Sequence, residues 1–365
     1  RPSYALGVRG METLYHGAPL RKFMARAVAV SPDRPVLLDR FMEEAIELDV
    51  DAVADGERVV IGGVMEHIEE AGIHSGDSGC CLPTYALPPD VLARIRSHTH
   101  QIGKALNVRG LMNIQYLVQA GEVYVIEVNP RGSRTVPFVA KAIGKPLAKI
   151  AAKVMAGKTL RELGFLEEVV PEHVSVKQPV FPFDRFPGAD MILGPEMKST
   201  GEVMGIASDF GVAFAKSMEA AGRALPRKGT VFLSVRDSDK RGVGHLGRSL
   251  VNLGFHILAT GGTFQALKKA GVPALRIHKL GQGRPDVIDA VKNGEIHLII
   301  NTPVGKGGHT DEGRIRMEAL GKKIPVITTI SGAAAALVGI DALSRQVVPV
   351  RSLQEHHARK LVATP

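Results

Sequence analysis

Three oxygen-bearing side chains carry the first piece of chemistry in this sequence. Val123-Tyr124-Val125-Ile126-Glu127-Val128-Asn129-Pro130-Arg131 reads as a strand running into a proline-broken loop. Residues two apart on a strand face one side, so Glu127 and Asn129 project together from its end. Gln115, on the preceding strand of a predicted hairpin, can lie opposite them. Two or three oxygen donors converging on one spot suit magnesium bound with a nucleotide phosphate. Such an ion would shield the charge that develops as a phosphoryl group moves. Arg131 and Arg134 follow at once, and guanidinium groups match planar carboxylate-like or phosphate oxygens. An isolated Glu-x-Asn is equally an acidic strand end beside a solvated loop; Gln115 and the two arginines favour the site.

A second constellation lies downstream. Ala259-Thr260-Gly261-Gly262-Thr263 follows a predicted strand and opens a helix. Backbone amides at a helix start attract anions, and glycines permit close approach. Thr260 and Thr263 add hydroxyls. Lys240 begins an earlier helix and Lys279 follows a neighbouring strand. Asn301-Thr302 ends another strand, and Gly305-Lys306-Gly307-Gly308 makes a basic loop. All these lie at or beyond the carboxyl ends of strands, where open parallel sheets bind ligands. Thr-Gly-Gly-Thr alone is only a tight turn, and the lysines alone are surface charges.

The elements that must position these residues fall into two rhythms. In the first, strands are expected at 36–38, 47–51, 58–63, 110–118 and 122–128, with turns at Asp55-Gly56 and Ala120-Gly121. Helices are expected over 89–106 and 210–225, with 135–155 mostly helical. Residues 157–195, with five prolines from Pro171 onward, read as irregular. Pro226-Arg227-Lys228-Gly229 breaks the pattern and marks the boundary between a first domain, 1–226, and a second, 227–365. Beyond it, strands at 230–235, 255–259, 274–277, 296–300 and 325–328 alternate with helices, which argues a doubly wound parallel sheet. The fold class is α/β.

Composition bounds the partners. The formal charge of +9 is spread over the chain rather than run together, which disfavours nucleic acid and anionic lipid. Trp is absent and aromatics make up 5%, so a base-stacking platform is lacking. No apolar run approaches a membrane span and no signal peptide opens the chain. Cys80 and Cys81 are adjacent and read as reduced, buried thiols of a cytoplasmic protein.

Longer motifs narrow the reading. Glu127-Val128-Asn129-Pro130-Arg131 resembles the closing motif of ATP-grasp enzymes. Met65-Glu66-His67-Ile68-Glu69, His74-Ser75-Gly76-Asp77-Ser78, Arg109-Gly110-Leu111-Met112-Asn113-Ile114-Gln115 and the stretch from Gly194-Pro195-Glu196-Met197 to Gly205 resemble carbamoyl phosphate synthetase large subunits. The resemblance implies an α+β ATP-grasp portion that phosphorylates carbamate, followed by a methylglyoxal-synthase-like, Rossmann-like regulatory domain. It implies ATP with Mg2+ or Mn2+, and K+. Arg1 would contact phosphate; Arg40 and Met42 would hold adenine on the hinge stretch. Glu47 would bind ribose, and Gly72, Ile73, His74 and Ser75 would close over the nucleotide. Gln115, Glu127 and Asn129 would ligate metal; Arg131 and Arg134 would surround carbamate.

In the regulatory domain the resemblance implies that Lys240, Thr260, Thr263, Lys279, Asn301 and Thr302 hold effector nucleotides such as UMP or IMP. Pro303 stands where a hydroxyl residue is usual. Thr-Gly-Gly-Thr lacks the aspartate that methylglyoxal synthase itself needs. Glu69, Asp77 and Thr328 match an ornithine site, in which Gln178 replaces a glutamate; weakened or absent ornithine activation is expected. The implied partners are a glutaminase small subunit and the remainder of the large subunit. Arg1-Pro2-Ser3-Tyr4 reads as the inside of a domain, with the glycine-rich phosphate loop expected before it, so little synthetase activity is expected of the chain alone. A purely regulatory, nucleotide-binding role is the alternative. Biotin carboxylase would not explain the terminal Rossmann-like domain.

Overall fold

The computed structural model describes residues 20–24, 36, 38–40, 42, 45–185, 191–302, 311–345 and 347–358. Arg1, Pro303 and Gly305-Lys306-Gly307-Gly308 lie outside the described residues.

Seven strands form the first sheet: β1 (Ile46–Asp55), β2 (Val59–His67), β3 (Cys80–Leu82), β4 (Arg109–Gln119), β5 (Glu122–Asn129), β6 (Val174–Val180) and β7 (Gly201–Ala207). Their order is β5-β4-β1-β2-β3-β6-β7, and every neighbouring pair is antiparallel. The strand expected at 36–38 does not extend to Leu38, which is exposed coil; Val36 makes only an isolated bridge. Conversely, β6 lies within the stretch that its prolines made irregular on paper. Pro179 sits near the end of β6, one residue from its last.

Alternation along β1 explains the two faces of this sheet. Leu48, Val50, Ala52 and Ala54 share a core with Val91 and Ile95 of helix α1 (Pro89–Ala105). The intervening positions are Glu47, Asp49 and Asp51, all buried. On their side lie α2 (Val136–Ile143) and α3 (Leu147–Met155), which pack over Val53, Val60, Met65 and Leu82. The expected single helix over 135–155 is broken at Gly144, a left-handed C-cap at φ 68°, and at Pro146.

The second sheet is parallel throughout, in the order β10-β9-β8-β11-β12: β8 (Gly229–Ser234), β9 (Phe255–Ala259), β10 (Leu275–Arg276), β11 (Leu298–Asn301) and β12 (Val326–Ile327). Strand order reverses between β8 and β11, so a crevice opens beyond their carboxyl ends. Helices α4 (Phe210–Ala220), α5 (Val243–Asn252), α6 (Gly261–Lys269), α7 (Val287–Lys292), α8 (Asp311–Gly321), α9 (Ile330–Arg345) and α10 (Leu353–Ala358) follow in the second half of the chain.

One core runs through both sheets. Val176 and Ala207 of the first, Phe214 and Met218 of α4, Leu233 of β8 and Ala336 and Ile340 of α9 belong to a single buried cluster. Helices α4 and α9 cross closely: a Cβ on Gly211 would lie 2.7 Å from the Val338 carbonyl oxygen.

Candidate functional site

Register assembles the first site. In antiparallel pairing, directly opposed residues share a face. Asp49 opposes Gln115, and Gln115 opposes Glu127; Asp51 opposes Asn113, and Asn113 opposes Asn129. Two parallel polar rows thus cross β1, β4 and β5. Glu127 Oε1 accepts a hydrogen bond from Asn129 Nδ2 at 2.9 Å. Gln115 Nε2 donates to Ser75 Oγ at 2.9 Å, which joins the row to the 72–78 loop. The three oxygen-bearing side chains expected to act together do lie together. Among the described residues no three His, Cys, Asp or Glu side chains converge as a metal site; the trio offers one carboxylate and two amide oxygens. That hard-oxygen donor set fits magnesium, whose remaining positions water and phosphate normally fill.

The loop over this face is held at both ends. His74 N donates to Gly194 O at 2.8 Å and Gly76 N donates to His74 Nδ1 at 3.0 Å. Buried Asp77 accepts from Lys198 N and Ser199 N, both at 2.8 Å. Burial lowers the pKa of His74 and the nearby Asp77 opposes this. Glu47 accepts from the Gly72 amide, and burial raises its pKa. Arg131 reaches Gly132 O at 2.9 Å and Asn129 Oδ1 at 3.5 Å. Arg134 contacts Met197 Sδ. Arg40 is exposed, Met42 half-buried and Ile73 half-buried.

Beneath the site lies a charged network that the sequence reading missed. His67 Nε2 donates to Asp49 Oδ2 at 2.9 Å, both buried. His67 opposes Cys80, and Cys80 opposes Lys177. Lys177 is fully buried and its Nζ donates to Ser75 O at 3.1 Å. Burial opposes the charge on each of these groups. Even so, hydrogen bonding to His67 leaves Asp49 below its ordinary pKa. Cys80, Asp49 and Glu47 hold His67 well above its own. Cys80, Glu202 and Asp49 keep Lys177 raised. Asp51 differs: burial pushes it up to about 6, although Thr135, Ser133 and Asn113 donate to it. Their bonds are 2.6, 2.7 and 2.9 Å. The legible signal was Glu47-x-Asp49-x-Asp51, carboxylates at period two inside an apolar strand.

Cys80 and Cys81 are buried free thiols, as expected. Cys81 Sγ donates to Pro83 O at 3.2 Å and burial pushes its pKa up.

The second site sits at the strand-order reversal. Thr260 caps α6 in position and its hydroxyl pairs with Ser234 Oγ at 3.1 Å. Thr263 Oγ1 accepts from Val235 N at 3.0 Å, and Thr302 Oγ1 from Arg236 N at 2.9 Å. A hydroxyl that accepts still has its own proton to donate. Asn301 Nδ2 donates to Ser234 O, and its Oδ1 accepts from the fully buried Arg316. Lys240 Nζ pairs with Asp237 at 2.5 Å. A Cβ on Gly262 would lie 2.6 Å from that nitrogen, so the glycine lets the lysine reach the start of α6. Lys240, and more weakly Lys279, holds the Asp237 carboxyl below its usual range. Arg236 and Arg316 went unread because neither belongs to a local motif.

At the expected third site, Glu69 accepts from Gly79 N at 2.6 Å. A Cβ on Gly79 would lie 3.0 Å from Gln178 Oε1 and 3.4 Å from Glu69 Oε2, so these side chains converge. Gln178 is buried and its Oε1 has no hydrogen-bond partner among the described residues. Thr328 follows β12 at the half-buried edge of the second sheet.

Residues 1–163 match the family model described as carbamoyl-phosphate synthase L chain, ATP binding domain. Residues 243–328 match the MGS-like domain. A carbamoyl phosphate synthase large chain from Nostoc sp. is 54% identical over 362 residues, 98% of this chain and 33% of the relative. The large chain from Archaeoglobus fulgidus is 54% identical over 358 residues, again 98% and 33%. An arginine-specific, chloroplastic large chain from Arabidopsis thaliana is 51% identical over 367 residues, 100% and 31%. The chain therefore spans about a third of the length of these relatives, and over that third it belongs to the carbamoyl phosphate synthase large-chain family, with its ATP-binding and MGS-like domains.

Proposed function

We propose that this chain forms the carbamate-phosphorylating site of a carbamoyl phosphate synthetase together with its nucleotide-responsive domain. The reaction is transfer of the γ-phosphoryl group of ATP to a carbamate oxygen, giving carbamoyl phosphate and ADP. The observation that carries this reading is the pair of cross-strand rows ending in Glu127 and Asn129, beside Arg131 and Arg134. Glu127, Asn129 and Gln115 would hold Mg2+, which when bound shields negative charge on the transferred group. Mn2+ could fill the same hard-oxygen set, and K+ is proposed as a second ion. Glu47 and the 72–75 loop orient the nucleoside, with Arg40 and Met42 at adenine and Arg1 at phosphate. Arg131 and Arg134 grip the carbamate. Positioning and charge compensation carry most of such a transfer.

The domain division proposed is 1–226 and 227–365. In the second unit, Lys240, Lys279, Thr260, Thr263, Asn301 and Thr302 offer cations and donors to a nucleoside monophosphate such as UMP or IMP. We further propose a glutaminase small subunit and the rest of a large chain as partners, a place in arginine and pyrimidine synthesis, and a cytoplasmic location. No described helix is long and apolar enough to cross a membrane.

The test is ATP formation from ADP and carbamoyl phosphate by a full-length large chain built on this sequence. E127Q should cut the rate more than 100-fold while leaving the unfolding temperature within a few degrees. A chain that binds UMP but never makes ATP would instead mark a regulatory module without catalysis.

A further inference from the structure

We propose that His357 and His173 are positioning residues that clamp the carboxyl end of helix α2 and thereby fix the arginines at its amino end. The role assigned to those arginines rests on the phosphoryl-transfer reading; the clamp itself does not.

The last four carbonyls of a helix lack intrahelical partners. In α2 these are the carbonyls of residues 140–143. Ala140 O accepts from Gly144 N, in the left-handed cap, and from Lys145 N at 3.1 Å. Lys141 O accepts from His357 Nε2 at 2.8 Å, and Ala142 O from His173 Nε2 at 2.9 Å. A carbonyl can only accept, so in both rings Nε2 carries the proton. His173 immediately precedes β6, whereas His357 comes from α10, beyond the second sheet and 216 residues from Lys141. The clamp therefore ties the end of the regulatory half to the synthetase half.

Several observations make this a specific contact rather than general packing. No residue of helix α10 is fully buried; Leu353, His356 and His357 are half-buried, so the helix has little apolar burial to hold it. The rings of His356 and His357 meet His173 edge-on, at 5.5 and 5.6 Å between centroids. A cavity of about 140 Å3 stays open beside them, rimmed by Glu172, Ser208 and Arg351. Gly144 is fitted to the ring: a Cβ there would lie 2.9 Å from His357 Nδ1. Upstream of α10, Lys216 Nζ holds the Pro349 carbonyl at 2.6 Å and so steers the segment inward.

The amino end of α2 is pinned as firmly. Ser133 and Thr135 both donate to buried Asp51, and Arg134 stands between them. Eight residues of α-helix span about 12 Å. A rod of that length, fixed at Asp51 and at the two histidines, has little freedom to tilt. Release of the histidine end would let Arg134 swing about its anchor.

The experiment compares H357A and H357Q in the full-length large chain, since a glutamine amide can replace the Nε2 donor. Hydrogen exchange of amides 140–145 should accelerate at least 10-fold in H357A and return to within threefold in H357Q. In ATP formation, H357A should raise KM for carbamoyl phosphate about fivefold or more, leave KM for ADP within twofold, and be rescued by H357Q. Unchanged exchange in H357A overturns the clamp, whatever the enzyme does. Accelerated exchange with both KM values unchanged, or with both raised alike, overturns the positioning role. A parent that forms no ATP overturns the functional reading and the positioning role together, and exchange then still decides the clamp.

Discussion

Asp51 is the residue where structure and chemistry meet most tightly. It accepts three hydrogen bonds and sits fully buried under the arginine loop. Its pKa is raised to about 6 from 3.8, burial being the dominant cause. The folded state therefore holds a proton that the unfolded chain has released between those values. Stability from this group is full below about pH 4, falls as pH rises to about 6, and is flat above. Two units correspond to about 3 kcal/mol. Urea unfolding from pH 4 to 7 should show D51N gaining up to about that much relative to the parent. A difference independent of pH would contradict the buried, protonating carboxyl.

Also at this scale, Gln178 offers a buried acceptor that finds no partner among the described residues. A carboxylate pairs with an ammonium more strongly than an amide does. Calorimetry with ornithine should give weak or no binding to the parent and at least 10-fold tighter binding to Q178E. Tight binding to the parent would refute this.

Elements decide which of these residues meet. Helix and strand positions in the second sheet were legible because most of its strands are short apolar runs between turn residues. Thus 255–259 was read to the residue. The hairpin turns at Asp55-Gly56 and Ala120-Gly121 were legible from turn chemistry; Gly56, Ala120 and Gly121 all have positive φ. Strand β6 was hidden because Pro171, Pro179 and Pro182 flank or enter it, and edge-of-strand prolines read as loop. The buried network was hidden for a deeper reason. His67, Cys80 and Lys177 come from three different strands, and only cross-strand register brings them into one row. Local patterns carry no register between distant strands. Glu127 and Asn129 were legible because two residues on one strand share a face without any partner.

The contact between β7 and α4 gives a prediction of its own. A Cβ on Gly205 would lie 2.0 Å from the Ala213 carbonyl oxygen and 2.6 Å from the Ser217 amide nitrogen. Backbone on both sides leaves nothing soft to yield. G205A should cost about 3 kcal/mol or more, seen as a lowered unfolding temperature or loss of soluble protein. A variant as stable as the parent would mean that the helix stands further off.

At the scale of the whole molecule, the two sheets do not behave as beads on a string. The shared core of Phe214, Leu233 and Ile340, the α4–α9 crossing and the Arg236–Glu70 ion pair at 3.4 Å all join them. Exposed ion pairs add little stability, so the core does most of this joining. A ligand at the α6 amino end lies one loop away from Arg236, whose backbone is bound by Thr302. K240A should weaken UMP binding at least 10-fold in calorimetry, with unfolding temperature unchanged. Equal affinity would place the nucleotide elsewhere.

The proposed chemistry depends on where metal and triphosphate sit. The most direct measurement is a crystal structure with a non-hydrolysable ATP analogue and magnesium. The expected result is a metal about 2.0–2.1 Å from oxygens of Glu127, Asn129 and Gln115, with Arg131 and Arg134 facing the terminal phosphate. Nucleotide bound at another face, with those three side chains turned apart into solvent, would contradict it.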